Sequence, residues 1–303
     1  MNIKIWIEAA RLRTLPLSVS GIIVGSFAAY NQVENKMHFW CIFSLAILTT
    51  LCFQILSNFA NDYGDGVKGT DNENRVGPQR AIQSGAITKN QMKKAIVITS
   101  VISLIVALLL IFVSFGKDNF LYSLLFFVLG IASIVAAIKY TVGKSAYGYK
   151  GLGDLFVFIF FGLVSVIGSN FLYTMQLDTT TILPAITIGI LSVGVLNLNN
   201  MRDIENDIAS GKNTIVVKMG SKNAKTYHIA MIILAFMCLL AFGYIRDMLI
   251  VPVTIVFLLI FAPHLKRVND IKIPKNYDPE LKIVAIGTFL LSLVTAIELF
   301  FTN

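Results

Sequence analysis

Two groups of acidic and amide side chains stand directly behind long apolar stretches of the chain. The first acidic motif (residues 61–71) reads "NDYGDGVKGTD", and the second (residues 202–207) reads "RDIEND". The potential metal ligands are Asn61, Asp65, Asp71, Asp203 and Asp207, and Asp62 is a further catalytic carboxylate. Mg²⁺ prefers oxygen ligands, commonly one or two carboxylates, and completes its shell with water and phosphate oxygens. The sequence therefore predicts a Mg²⁺ site made from both motifs.

The spacing of these residues indicates how a helix would present them. If the helix before the first motif continues into it, one face carries Asn58, Asn61, Asp62 and Asp65 at i, i+3, i+4 and i+7. Asp203 and Asp207 are four residues apart and share a face in the same way. Like charges at this spacing repel each other, so a bound cation is the expected reason for them. The alternative is solvated loop charge without a function, which two such groups make less attractive.

Basic side chains accompany both motifs. They are Lys68, Arg75 and Arg80 after the first motif, and Arg202 and Lys212 around the second. Cations interleaved with metal-binding carboxylates suit a diphosphate, because they hold the phosphate oxygens that the metal leaves free. The alternative for each cation is a role in membrane topology alone. A role in topology alone explains Arg80 less well, because this residue lies in the segment "GPQRAIQSG", before the next helix is predicted to begin.

The composition places these motifs in a membrane protein. Of 303 residues, 56% are hydrophobic and only 14% are charged, and the mean hydropathy is +0.74. Soluble domains are nearer 45–50% apolar and about 25% charged. The formal net charge of +8 does not indicate nucleic-acid binding, because the basic residues lie in the segments between apolar spans. We expect the lipid bilayer to be the partner surface and no nucleic acid to bind.

The elements that must position the motifs are membrane-spanning helices. A span needs about 20 apolar residues, and backbone groups in lipid must be satisfied within the segment. The sequence predicts an all-α polytopic membrane protein, a bundle of nine transmembrane helices with cytoplasmic catalytic loops, in one domain over residues 1–303. The candidate spans are 14–31, 39–60, 95–115, 119–138, 152–174, 181–200, 226–244, 248–264 and 283–301.

The distribution of Lys and Arg predicts the orientation of this bundle. With nine spans, 22 of the 25 basic residues fall on one side, and the other side has only Lys36, Lys117 and Arg246. Cytoplasmic segments carry such an excess. We therefore expect the N-terminus and both acidic motifs to be cytoplasmic.

Together these residues resemble the UbiA superfamily of intramembrane aromatic prenyltransferases. That family carries N-D-x-x-D-x-x-x-D and D-x-x-x-D motifs after the second and sixth of nine helices. Asn61, Asp62 and Asp65 match the first pattern, and Asp203 and Asp207 match the second. The third aspartate of the first pattern would be residue 69, which is glycine here, while Asp71 stands two residues later.

Three strings resemble the naphthoate branch of this superfamily: "DYGDGVKGTD", "RVGPQR" and "YGYKGLGDLFVFIFFG" (147–162). The resemblance implies Mg²⁺-dependent transfer of a polyprenyl group from polyprenyl diphosphate to 1,4-dihydroxy-2-naphthoate, with loss of CO₂ and diphosphate. It also implies a place in menaquinone biosynthesis in the plasma membrane of a prokaryote.

The alternatives are the 4-hydroxybenzoate, haem O or ether-lipid branches. A secondary transporter fits less well, because transport sites lie near the bilayer midplane and these charges cluster at one face.

The third cytoplasmic loop and the end of the sixth span supply further candidates for substrate binding. Lys144 or Lys139 would hold diphosphate or the naphthoate carboxylate. Tyr140, Tyr147 and Tyr149 would stabilise an allylic cation through their ring faces, although an interfacial aromatic belt explains them equally well. Asn199 and Asn200 end the sixth span, where buried amides need partners, so we expect them beside the site.

Overall fold

The computed structural model of the chain describes residues 3–73 and 75–302, apart from the Arg13 side chain. The helices are α1 (Ile3–Ala10), α2 (Leu15–Ala28), α3 (Lys36–Lys68), α4 (Lys89–Phe115), α5 (Phe120–Lys139), α6 (Gly153–Thr174), α7 (Ile182–Arg202), α8 (Ile204–Ala209), α9 (Ile215–Ile245), α10 (Ile250–Asp270) and α11 (Tyr277–Phe301). No β-strand occurs among these described residues, which confirms the all-α class.

Eight helices of the described chain are long and apolar enough to cross a membrane, namely α3, α4, α5, α6, α7, α9, α10 and α11. The first predicted span forms α2, an apolar helix of 14 residues. At 1.5 Å per residue it is about 21 Å long, which is shorter than a hydrocarbon core of about 30 Å. The polytopic helical architecture is thus observed, whereas the count of nine spans stays a prediction.

The short helix α2 is an interior element of the bundle. It begins with Pro16 in its first turn, where a proline costs no hydrogen bond, and most of its residues are buried. It packs against α11, α6 and α3. Of the span-length helices, α7 is the most buried and α5 the least. The apolar side chains that α5 leaves exposed suit contact with lipid.

One stretch of α6 departs from α-helical geometry. Phe158–Gly168 is π-helical, a wider winding that is rare and is frequent at functional sites. Phe160 and Phe161 of this stretch line the large internal cavity described below. The local unwinding therefore lies where the bundle opens around that cavity.

A buried polar cluster joins α9, α10 and α11 in another part of the bundle. His228 Nε2 lies 2.8 Å from His264 Nε2, and His264 Nδ1 lies 2.5 Å from a carboxylate oxygen of Glu280. Arg267 donates to the other oxygen of Glu280. The cluster ties three helices together, and its two histidines had no predicted catalytic role.

The connections that carry the acidic motifs meet at one end of the bundle. The loop after α3 reaches the second motif, because the Asn206 amide donates to the Thr70 carbonyl across 2.9 Å. The loop after α5 joins them, since the backbone N–H of Asn213 donates to the Tyr149 carbonyl. Segments far apart in sequence thus form one polar layer over the helix ends.

Candidate active site

A cavity of about 420 Å³ lies beneath this polar layer. Its deep walls are apolar and come from α2, α4, α5 and α6, with Leu110, Phe126 and Leu172 among the residues there. Its other end is lined by charged and amide side chains of the motifs. A site with this polarity accommodates a molecule that has an anionic head and a long apolar tail.

Most of the residues predicted from sequence are brought together here. The lining includes Asn58, Asn61, Asp65, Arg75, Arg80, Tyr140, Tyr147, Asn199, Arg202, Asp203, Asp207 and Lys212. The predicted residues outside the lining are Asp62, Lys68, Asp71, Lys139, Lys144, Tyr149 and Asn200.

The first motif begins on α3 as the spacing predicts. This helix runs without a break from Lys36 to Lys68, so Asp62 and Asp65 are helical. Gly69 ends it with a φ of 76°, and its N–H donates to the Asp65 carbonyl. Glycine adopts this left-handed conformation without the steric cost that a side chain brings. The departure from the family's third aspartate therefore coincides with the end of the helix.

Asp62 is enclosed by arginines. It is 1% exposed; Arg11 donates to Asp62 Oδ1 across 2.6 Å, and Arg80 Nε stands 3.6 Å from the same oxygen. Arg11 follows α1 with a φ of 54°, an uncommon value for a residue with a side chain. Asn58 holds the same segment, because its amide donates to the Ala10 carbonyl. Asp62 thus pairs with two cations that themselves line the cavity.

Asp65 faces the cavity and is held by a tyrosine. The Tyr149 hydroxyl donates to Asp65 Oδ1 across 2.7 Å and lies 2.5 Å from the Thr70 hydroxyl oxygen. Burial raises the pKa of Tyr149, and the nearby Asp65 charge raises it further. The phenol therefore remains a hydrogen-bond donor at neutral pH. The Lys68 ammonium lies 3.7 Å from the centre of the Tyr149 ring, so Lys68 reaches this aromatic face rather than the cavity.

Asp71 pairs with Arg75 instead of facing the cavity. The two side chains form a buried ion pair within the loop, and Asp71 Oδ2 has no hydrogen-bond partner among the described residues. Burial raises the pKa of Asp71, against the opposing charge of Arg75. Arg75 lines the cavity, so Asp71 acts on the site through it.

The second motif starts with a bidentate ion pair between Arg202 and Asp203. Arg202 donates through Nε and Nη2 to the two carboxylate oxygens of Asp203, across 3.0 and 2.7 Å. Burial acts to raise the pKa of Asp203, but the hydrogen bonds and charge of Arg202 outweigh it, so this pKa lies below its ordinary value. Asp203 is therefore a carboxylate at neutral pH. The Asp207 N–H donates to the Asp203 carbonyl, which keeps the predicted i, i+4 relation.

Asp207 and Lys212 form a further buried ion pair at the polar end. Their charged atoms are 3.3 Å apart, and both side chains are buried. Burial raises the pKa of Asp207 to about 6, against the opposing charge of Lys212. For Lys212, burial acts to lower the pKa, but Asp207 and Asp65 outweigh it and the pKa is raised. Lys212 therefore stays cationic inside the cavity.

An aromatic wall connects the polar end with the apolar one. Tyr140 and Tyr147 meet edge to face with ring centres 5.4 Å apart, and Tyr147 stacks on Phe156 at 3.9 Å. All three line the cavity. Burial raises the pKa of Tyr140 to about 12, so this phenol is neutral at physiological pH.

Three predicted substrate-binding residues lie elsewhere. Lys139, the last residue of α5, and Lys144, in the loop that follows, are both exposed and lie outside the cavity lining. Asn200 is buried outside the lining, and its Oδ1 lacks a hydrogen-bond partner in the described part of the chain. The geometry therefore gives none of these three a direct contact with a substrate in the cavity.

The oxygen atoms around the cavity fit a hard divalent cation. Asp207 Oδ2 and Asn206 Oδ1 are buried without a hydrogen-bond partner among residues 3–73 and 75–302, and Asp65 and Asp203 line the same cavity. Within those residues, no three acidic, histidine or cysteine side chains already stand together as a metal cluster. Carboxylate and amide oxygens with open lone pairs are the ligands Mg²⁺ uses alongside phosphate and water.

Arg11, Asn206, Asp278 and Lys282 also line the cavity and are among the lining residues that the sequence did not predict. Asn206 lies between the two aspartates of the second motif, so its spacing offered a local signal. Arg11 and Asp278 are 51 and 76 residues from the partners they contact, Asp62 and Arg202. No local pattern in the sequence predicts such contacts.

Known proteins share sequence with this chain over most of its length. The sequence model of the UbiA prenyltransferase family matches residues 18–298. The 1,4-dihydroxy-2-naphthoate octaprenyltransferase of Haemophilus influenzae is 44% identical over 242 residues, which cover 80% of this chain and 78% of that protein. The protein of the same name from Escherichia coli K12 is 45% identical over 239 residues, covering 78% and 76%.

A solved structure shows the same fold at much lower identity. It comes from work on digeranylgeranylglyceryl phosphate synthase in membranes and matches with a TM-score of 0.62 at 16% identity. The match covers 98% of both chains. The arrangement of helices is therefore shared over the whole described bundle.

Proposed function

The chain belongs to the UbiA prenyltransferase family, and from that premise we propose that its cavity joins a polyprenyl chain to 1,4-dihydroxy-2-naphthoate. The allylic C–O bond of polyprenyl diphosphate breaks, and a C–C bond forms to the aromatic ring. Diphosphate and the ring carboxylate, as CO₂, are the leaving groups, and the product belongs to menaquinone biosynthesis. The observation that carries this function is the meeting of both motifs and their cations at the polar end of one otherwise apolar cavity.

Cationic side chains at the polar end bind the diphosphate. Lys212 is buried and charged, and Arg75 lines the same cavity. Charge-assisted hydrogen bonds to phosphate oxygens are stronger than neutral ones. These residues hold the leaving group in place while the tail occupies the apolar part of the cavity.

Asp65, Asp203 and Asp207, with the amide oxygen of Asn61, are the residues that would hold Mg²⁺. When bound, the ion neutralises charge that develops on the departing diphosphate. Tyr149 orients Asp65 and Arg202 orients Asp203. Ligands held by such partners bind a metal in a defined geometry.

The aromatic wall suits the reacting carbon. Tyr140, Tyr147 and Phe156 present ring faces and edges between the polar and apolar ends, and aromatic faces attract cations. The apolar lining also excludes water, which would otherwise capture an allylic cation. This wall therefore favours attack by the electron-rich naphthoate ring over hydrolysis.

The acceptor carboxylate has a site among the arginines of the first motif. Arg11 and Arg80 share the single carboxylate of Asp62, so positive charge remains at this part of the lining. An anionic ring substituent is attracted there. This assigns to Arg11 and Arg80 the binding that Lys139 and Lys144 are too remote to provide.

The long apolar helices place the protein in a membrane. We propose the plasma membrane of a prokaryote, with the motif end of the bundle in the cytoplasm, because 22 of the 25 Lys and Arg residues lie on that side of the predicted topology. Accessibility labelling of single cysteines in intact cells tests this orientation. Labelling of a cysteine placed at residue 84 from outside the cell would contradict this orientation.

The test of the function is an acceptor competition with purified protein. Equal amounts of 1,4-dihydroxy-2-naphthoate and 4-hydroxybenzoate are incubated with a polyprenyl diphosphate and Mg²⁺, and the products are identified by mass spectrometry. We expect a prenylated, decarboxylated naphthalene product, and chelation of divalent metal should abolish it. Prenylation of 4-hydroxybenzoate alone would assign the protein to another branch of the family.

A further inference from the structure

Asp278, at the start of α11, contacts the second acidic motif from outside it. Arg202 Nη1 donates to Asp278 Oδ1 across 2.6 Å, and Asp278 lines the cavity. Its side chain is 32% exposed, whereas Arg202 and Asp203 are almost fully buried. Neither motif contains this aspartate, and it lies on a different helix.

Arg202 is held by hydrogen bonds from all three of its nitrogen atoms. Its Nε donates once, its Nη2 donates to Asp203 and Asn199, and its Nη1 donates to Asp278. A guanidinium has five N–H donors, so four are in use. The cation is therefore fixed in position, and its orientation depends on all three partners.

The loop after α3 covers this group. A Cβ added at Gly77 would lie 2.6 Å from Arg202 Nη2 and 3.1 Å from Arg75 Nη2. Any side chain at residue 77 would therefore collide with the guanidinium of Arg202. Glycine lets the loop of the first motif lie directly on the arginine of the second.

The charges in this group determine how strongly Asp203 attracts a metal ion. A pair of Arg202 and Asp203 alone has no net charge, so it would attract a cation only weakly. With Asp278 on the same guanidinium, the trio of Arg202, Asp203 and Asp278 carries a net negative charge. In a low-dielectric site this difference acts strongly on a divalent cation.

We propose that Asp278 is a positioning residue for the metal site, which shares the charge of Arg202 and so keeps Asp203 available to a divalent cation. The inference rests on the proposed function for its metal, but it concerns binding rather than turnover. Acidic residues also stabilise helix N-termini, and an ion pair from α7 to α11 holds two helices together. The experiment must therefore separate metal binding from stability.

The experiment measures Mn²⁺ binding to purified protein without substrates, by the loss of the free-ion signal in electron paramagnetic resonance. Asp278→Asn keeps the size and removes the charge, and we expect Mn²⁺ affinity to fall about tenfold. Asp278→Glu should retain affinity within a factor of about three. Adding Asn199→Asp to Asp278→Asn returns a negative charge to Arg202 and should recover most of the loss. These fold-changes are order-of-magnitude expectations for one charge near a cation.

The matched control is Asp178→Asn, which removes another ion pair, to Arg246, at a position outside the cavity lining. It should leave Mn²⁺ affinity unchanged, and thermal unfolding of all variants reports loss of structure. Unchanged affinity in Asp278→Asn, or failure of Asn199→Asp to restore a loss, overturns the proposal. So does wild-type protein that binds no Mn²⁺. Wild-type protein that binds Mn²⁺ but makes no prenylated product refutes the proposed function instead, and the Asp278 comparison still decides this inference.

Discussion

In the first motif the leading aspartate, Asp62, lies behind the cavity lining between Arg11 and Arg80, whereas in the second motif the leading aspartate, Asp203, lies in the lining. The second aspartate of each motif, Asp65 or Asp207, faces the cavity. Equivalent positions in the two patterns thus have different surroundings. The difference teaches that an aspartate pattern identifies a site, while the packing around each carboxylate determines whether it reaches the cavity.

The largest effect is expected where the two motifs agree. Asp65→Asn and Asp207→Asn should each lower kcat/KM by about 10³-fold, because each removes a cavity-facing anionic ligand at the centre of charge stabilisation. Steady-state kinetics with saturating Mg²⁺ measures this loss. Asp118→Asn, at an exposed position between α4 and α5, is the control and should behave as wild type. Near-normal activity in either motif variant would remove that residue from the metal site.

The second prediction concerns Asp62, where the motifs differ. Asp62→Asn leaves two partly buried arginines without their counter-ion, so it should cost about 3 kcal/mol of stability, which appears as a lower Tm in detergent. Asp65→Asn should leave Tm nearly unchanged. Adding Arg11→Gln to Asp62→Asn should recover part of the decrease in Tm, since one unpaired cation is removed. A fully stable Asp62→Asn variant with no activity would contradict this assignment and make Asp62 equivalent to Asp203.

The third prediction compares the lysines of the two motifs. Lys212 is buried beside Asp207, whereas Lys68 is exposed over the Tyr149 ring. Lys212→Gln should raise the KM for polyprenyl diphosphate about 30-fold, as expected for loss of a charge-assisted hydrogen bond of about 2 kcal/mol. Lys68→Gln should change that KM less than about threefold, because an exposed charge is screened. Equal effects of the two substitutions would place Lys68 in the diphosphate site.

The smallest effect is expected for the hydroxyl that supports Asp65. Tyr149→Phe removes one hydrogen bond to this carboxylate and keeps the ring, so kcat/KM should fall about fivefold, which corresponds to about 1 kcal/mol. The Mg²⁺ concentration needed for half-maximal activity should rise, and the loss of kcat/KM should disappear at high Mg²⁺. A loss of 10² or more that high Mg²⁺ does not relieve would give Tyr149 a direct part in catalysis.

Much of the architecture was predictable because it depends on local pattern. The apolar stretches predict membrane helices, and the spacing of the polar residues predicts that the helix continues into the first motif, which α3 confirms by running to Lys68. The first predicted span is the shortest helix among the candidate spans. The regular α-helix within residues 14–31 has 14 residues, because composition does not report where a helix stops, and its crossing of the membrane stays a prediction.

The sequence by itself determined the class of protein, the two motifs and the cations that accompany them, since hydropathy and helical spacing act over a few residues. Only the tertiary structure decided that Arg11 encloses Asp62, that Tyr149 supports Asp65, and that Asp278 shares Arg202. These contacts join residues 51, 84 and 76 positions apart. They arise from the packing of helices and from the need of buried charges for partners. Neither cause produces a periodic pattern in the sequence.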